Sequence, residues 1–548
     1  MKKYLLNSFC FLTLLVSVSL ISCKENSSTS SSIGNLFNST SFDTEKFTQE
    51  LKNSIKDTTI VYYFGDSILL QNEINSAYEV NNFNSLWLGS AGLNDNFNKF
   101  KAEIDQLRFD GLSIKDFYLD SLDILNKTFK TQDEDVNLAV DLDKKASYVF
   151  FKACNQLLKG KIKSDKINKD WINTNDSILD VKNIITQLNE GKKFNEIFES
   201  LRPQTIEYKK LRVQYIKLDS FKNADFANMA FSINDVSIPE KNTLVRKKLN
   251  VLTGEPTNLE ATTNDIDIIH AIKKLQYINN IEQTGSLDEA TLEVLNVPIE
   301  EQIKKIAMNM ERWRWLKIDL SEEYILVNIP KLELDYYEKD SNKWNMNVVV
   351  GRTSRKTPLL DAKMKDIVFC PPWFVPPTIL KEEVLPGISR RGGSYLRRRG
   401  LQATDSRGRV VDASRINASN YKRFSINQKP GLNSALGTVK FNFPNKLSIY
   451  LHDTNHRGDF EKKYRAFSSG CIRVHKPREF AEFLLRDTNY TKPKIDSLVK
   501  RNQTKFMPMD KRNIFLHIMY QTVALDSAGN IKHYPDIYKW DEELVKYF

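Results

Sequence analysis

The stretches Ser448-Ile449-Tyr450-Leu451-His452-Asp453-Thr454 and Ser468-Ser469-Gly470-Cys471-Ile472-Arg473-Val474 decide the reading of this chain. Cys471 lies nineteen positions after His452. A cysteine attacks as its thiolate, and a free thiol of pKa about 8.5 is mostly protonated at neutral pH. An imidazole brought beside it takes that proton and makes a nucleophile–base pair. Period-two alternation predicts a strand with Leu447, Ile449 and Leu451 on its core face and Tyr450 and His452 on the other. Ile472-Arg473-Val474 predicts a second short strand, and Pro477 opens a helical pattern through Phe480, Phe483 and Leu484. Cys471 therefore falls where a small Ser-Ser-Gly turn meets a strand. There the backbone N–H groups of Gly470 and Cys471 are candidate donors to an oxyanion. The plainer alternative makes Cys471 a small buried hydrophobe and His452 a hydrogen-bonded structural residue.

The same segments resemble the signature of the L,D-transpeptidase (YkuD-type) catalytic domain: a His, a variable loop, then Ser-Gly-Cys and an Arg. The resemblance extends in order through Asn309-Met310-Glu311-Arg312-Trp313-Arg314-Trp315, Val348-Val349-Val350-Gly351-Arg352, Pro371-Pro372-Trp373-Phe374-Val375-Pro376-Pro377, Asn433-Ser434-Ala435-Leu436-Gly437 and Phe443-Pro444-Asn445. These blocks are similar to the large, multidomain YcbB-like branch of the family. Cys370 departs from the pattern, standing where the family often has Asn.

The resemblance implies a peptidoglycan L,D-transpeptidase that forms 3→3 crosslinks through a thioester, with release of the donor D-Ala. It implies Cys471 as nucleophile and His452 as proton donor and acceptor, with Tyr450, Ser469 and Arg473 lining the substrate site. His456 and His475 are close in sequence but off the motif. Asp453 points away from His452 on a strand, so a backbone carbonyl is expected to orient the imidazole. Stem-peptide hydrolysis, as an L,D-carboxypeptidase or cysteine peptidase, and a non-catalytic wall-binding lipoprotein are the rival readings. No cofactor is indicated, because the sequence has neither metal-ligand spacing nor a phosphate loop.

The fold class expected is multidomain α+β. Residues 1–22 read as a signal peptide, and Leu20-Ile21-Ser22-Cys23 resembles a lipobox that would lipidate Cys23. Lys24 in place of Asp then favours the outer membrane, facing the periplasm. Residues 23–42, rich in Ser, Asn and Thr, read as a flexible tether. A helical scaffold domain is expected over 43–230. A small helical peptidoglycan-binding-like domain follows over 240–298, resting on Leu275-Gln276, Thr284-Gly285-Ser286 and Asp288. The mainly β catalytic domain spans 323–500, with a long Arg- and Gly-rich insertion at about 372–427. In this branch the insertion caps the active site, and its arginines suit stem-peptide carboxylates. Residues 501–548 are expected to be an extension packed on the catalytic sheet.

The chain of 548 residues carries a formal charge of +11. That charge suits nucleic acid in a cytosolic protein, but the export signal argues against such a partner. The partners expected are a donor tetrapeptide stem, an acceptor stem and, through the lipid, a membrane. Of the three cysteines left after Cys10 and Cys23, at least one stays free, and Cys154 and Cys370 could pair in an oxidising compartment.

Overall fold

The computed structural model describes residues 43–548 except 58, 90–91, 133–134, 168, 170, 172–174, 261–264 and 418. The signal peptide, Cys23 and the tether lie outside the described residues.

The N-terminal helices close around an aromatic core. Trp87 packs on Phe97, Phe100, Phe150 and Phe194. Its segment is held by Asp143, a buried carboxylate on the long helix Val136–Lys159. Asp143 accepts from the Leu86 and Trp87 backbone N–H groups, the Ser85 hydroxyl and the Tyr78 hydroxyl. Four donors on one buried carboxylate leave no lone pair stranded. The long helix ends at Gly160, at φ +87°, where a Cβ would lie 2.3 Å from the Glu311 carboxylate. Only glycine fits that junction.

A second core joins the helices Ile206–Asp219, Pro239–Thr253, Ile266–Ile278 and Ile299–Arg314. The helix Ile206–Asp219 shares this core with the later helices. Within it Gln276 is buried and spends its amide internally. It donates to Thr284, Ser286 and Thr291 and accepts from the Gly285 N–H. Asp288 caps the next helix through the Thr291 N–H. The residues on which the expectation of a peptidoglycan-binding-like domain rests thus build the turn between two helices.

Among the described residues, strands between 323 and 519 build an eleven-stranded sheet. Strand Leu451–His452 lies between Val439–Asn442, antiparallel, and Ile472–Val474, parallel. Ile472–Val474 pairs in turn with Ser341–Gly351. The C-terminal segment joins this sheet and packs in its core through Tyr538, Trp540 and Leu544. Ile514–Met519 is inserted between Glu323–Asn328 and Leu360–Lys363, and Lys505–Pro508 forms an edge beside Asp366–Phe369. The insertion folds as a unit: Trp373–Phe374, Gln402–Thr404, Val410–Val411 and Ser425–Gln428 form its own sheet over an apolar core of Val384, Ile388, Leu396 and Ile426. Cys154 and Cys370 are both free and buried, each packed with its own domain, so the pairing considered from sequence is not made.

Among the described residues, no helix is long and apolar enough to cross a membrane.

Candidate active site

Strand pairing assembles the site. Leu451 and Ile472 are registered and both fully buried, facing the core. Side chains alternate along a strand, so Tyr450, His452, Cys471 and Arg473 share the opposite face. The expected strand from Leu447 is shorter than predicted. Asn445 holds a turn there, accepting from the Leu447 and Ile449 N–H groups and donating to the Ile449 carbonyl. Ser448 takes φ +56°, and Leu447 is 48% exposed and off the core. A left-handed residue breaks the alternation that the apolar pattern suggested.

The turn before Cys471 is fixed by hydrogen bonds. Gly470 sits at φ +113°, a conformation L side chains rarely adopt. Its carbonyl accepts from the Thr357 hydroxyl at 2.8 Å. The Ser468 hydroxyl donates to the Cys471 carbonyl at 2.5 Å and accepts from the Gly470 N–H at 3.1 Å. This corrects one expectation: the Gly470 N–H is spent inside the turn and does not point at a substrate. The Cys471 N–H makes no hydrogen bond among the described residues and remains the candidate oxyanion donor.

The Cys471 side chain is partly exposed. Burial pushes its thiol up, while the Tyr450 backbone N–H and hydroxyl, Lys440 and Arg473 favour the thiolate. His452 is 6% exposed, and its Nδ1 lies 2.5 Å from the Asp453 carbonyl oxygen. That contact assigns the proton to Nδ1 and leaves Nε2 as the acceptor. The carboxylate of Asp453 fixes the strand end. It accepts from the Thr438 N–H and hydroxyl, the Thr454 N–H and Arg457. Burial, with Arg473 and Lys440 adding to it, lowers the His452 pKa to about 3. Thiol and imidazole are therefore both neutral at rest.

A pH prediction follows from that shift. The unfolded chain binds a proton at His452 near pH 6.5, whereas the folded chain does so only near 3. Between these values the unfolded state holds more protons, so this group's contribution is present above about pH 6.5 and is lost as pH falls toward 3. One such group contributes a slope of up to about 1.4 kcal/mol per pH unit. Urea unfolding between pH 4 and 7 should show a flatter pH dependence in His452→Gln than in the wild type.

The remaining expected residues fall around this pair. Arg473 is ion-paired with Asp459 at 3.1 Å. Ser469 is exposed and accepts from Arg355 at 3.0 Å. His475 stacks on Phe460 away from the pair. Tyr450 lies edge-on to the His452 ring at 5.5 Å, and the cap's Trp373 hydrogen-bonds its hydroxyl.

Sequence reasoning missed Arg355 and Lys440. Arg355 ties the cap to the turn before Cys471, binding Glu382 and Glu383 of the cap as well as Ser469. No local pattern marks it, because its partners are 27 or more positions away. The cap arginines Arg390, Arg391, Arg397, Arg398 and Arg399 are exposed, and Arg409 pairs with Asp405.

A mainly β domain thus presents a thiol and an imidazole on one sheet face, beneath a folded cap. Comparison with known families is specific. Residues 322–495 match the L,D-transpeptidase catalytic domain (YkuD), and residues 72–214 match the Scaffold domain. The chain carries both. A Haemophilus influenzae protein described as "Putative L,D-transpeptidase" is 33% identical over 279 residues, which is 49% of this chain. The aligned stretch spans 56% of that relative's length.

Proposed function

We propose that this protein is a peptidoglycan L,D-transpeptidase that forms 3→3 crosslinks through a thioester on Cys471. The observation that carries this reading is the placement of His452 and Cys471 on one sheet face, with Nδ1 taken by a carbonyl and Nε2 left to accept a proton.

The thiol proton passes to His452 Nε2 as sulfur attacks the carbonyl of residue three of a donor tetrapeptide stem. The Cys471 N–H faces the oxygen anion that forms. The C–N bond to D-Ala breaks, and the imidazolium protonates the leaving amine. The side-chain amine of residue three on a second stem then attacks the thioester, His452 takes its proton, and the C–S bond breaks to return the thiol. Tyr450, Ser469 and Arg473 are assigned to the substrate side of the pair. No metal or organic cofactor enters this scheme.

The lipobox-like Cys23 and the tether support a lipid-anchored enzyme at the outer membrane, facing the periplasm. There the cationic chain meets stem-peptide carboxylates.

Chromatography and mass spectrometry of muropeptide products test the reading. A 3→3 linked dimer, with one D-Ala released per crosslink, is expected. Tripeptide alone would instead identify a carboxypeptidase or cysteine peptidase, with water taking the thioester.

A further inference from the structure

Lys440 occupies a place in this site that the proposed chemistry has not yet used. It is registered opposite His452 across the antiparallel strand pair. Registered partners project to the same face of a sheet, so its ammonium shares the face of Tyr450, His452, Cys471 and Arg473. The Nζ atom lies 4.1 Å from the centroid of the Tyr450 ring. A cation over an aromatic face is held by the ring quadrupole. Tyr450 in turn directs its hydroxyl and backbone N–H to the Cys471 sulfur. The ammonium is thus seated on the same ring that hydrogen-bonds the nucleophile.

Compensation of charge sets Lys440 apart from the other cations here. Arg473 is neutralised by Asp459, and Arg355 by Glu382 and Glu383. Lys440 is half-buried and, among the described residues, has no carboxylate within ion-pair distance. The opposite charges that reach it are the Cys471 sulfur when ionised and, more weakly, Asp366 on the neighbouring strand. Its positive charge is thus available to the sulfur.

We propose that Lys440 is a positioning residue for the Cys471 thiolate, its ammonium seated on Tyr450 and supplying the uncompensated positive charge that favours the sulfur anion. The inference rests on Cys471 as nucleophile and His452 as base. In the step concerned the S–H bond breaks, the proton moves to His452 Nε2, the electron pair stays on sulfur, and Lys440 keeps its own proton. The same charge disfavours imidazolium, so the proton is released readily to the leaving amine. The titratable and charged groups facing the sulfur and Lys440 are His452, Tyr450, Arg473 with Asp459, Asp366, and Arg355 with Glu382 and Glu383.

The test is iodoacetamide alkylation of Cys471 in the full chain across a pH series, read by peptide mass spectrometry in wild type, Lys440→Met and Lys440→Arg. The rate tracks the thiolate fraction. Lys440→Met should move the rise in rate to higher pH and slow alkylation at pH 7 by about threefold to tenfold. Lys440→Arg, which keeps the charge, should restore most of the rate, and this rescue separates a charge effect from a disturbed fold. Superimposed wild-type and Lys440→Met profiles overturn the proposal, as does a methionine-like profile in a folded arginine variant. Lys440→Met that raises KM while leaving the profile unmoved also overturns it, making Lys440 a substrate-carboxylate contact. Failure of the underlying reading shows separately, in the wild type, as no acyl adduct on Cys471 with a tetrapeptide stem.

Discussion

Cys471→Ala should lower the proposed transpeptidation by at least about a thousandfold, because it removes the thiol that the proposed mechanism acylates. The loss should fall on kcat, since Tyr450, Ser469 and Arg473, the residues assigned above to the substrate side, are left in place. Stability should change little. The Cys471 side chain is partly exposed, and the turn beneath it is held by the Ser468 and Thr357 hydroxyls and not by the thiol. Turnover of a tetrapeptide stem, together with thermal unfolding, checks both halves. A variant that keeps substantial turnover would place the chemistry elsewhere. A variant that unfolds would make Cys471 structural.

Glu311→Ala should destabilise the chain by about 3–5 kcal/mol, the range for removing one partner of a buried ion pair. Glu311 and Arg314 are both fully buried, 2.6 Å apart. The carboxylate also accepts from the Ile162 N–H at 2.9 Å and the Trp315 indole at 3.2 Å. Arg314 goes on to the Asp110 carbonyl and the Tyr208 hydroxyl. Asp110 in turn is bound by Arg202 and Tyr208. This network joins the scaffold helices to the helix that leads into the catalytic sheet. Removing its carboxylate strands a buried guanidinium, an N–H and an indole together. Glu311→Gln should cost less, since it keeps the shape and part of the hydrogen bonding. Denaturant unfolding of the two variants measures the difference, and an alanine variant within about 1 kcal/mol of wild type would contradict this account of the junction.

How much of this was legible in the sequence depended on how local the signal was. The shared face of Cys471 and His452 could be read because alternation and turn chemistry act over a few residues. Those rules also put Leu451 and Ile472 on the core side, where both are fully buried. Leu447 was misread because the run is apolar while Asn445 bends the chain and Ser448 goes left-handed. Its place in the motif makes the Gly470 N–H a candidate oxyanion donor. Its capture by Ser468 depends on a rotamer that no sequence pattern encodes. Lys440 could not be seen without the register that sets it opposite His452. The same holds for Ile514–Met519, whose parallel pairing with Glu323–Asn328 spans nearly 200 positions. The cap was legible as an insertion by its length and glycines. Its latch, Arg355 to Glu382 and Glu383, was not, because surface charges carry no periodicity.

The central claim is that Cys471 carries the acyl group, and intact-protein mass after incubation with tetrapeptide-stem muropeptides tests it most directly. An adduct equal to the donor less D-Ala is expected on the wild type, located to Cys471 and absent from Cys471→Ala. No adduct on a folded wild type, or the same adduct on Cys471→Ala, would contradict it.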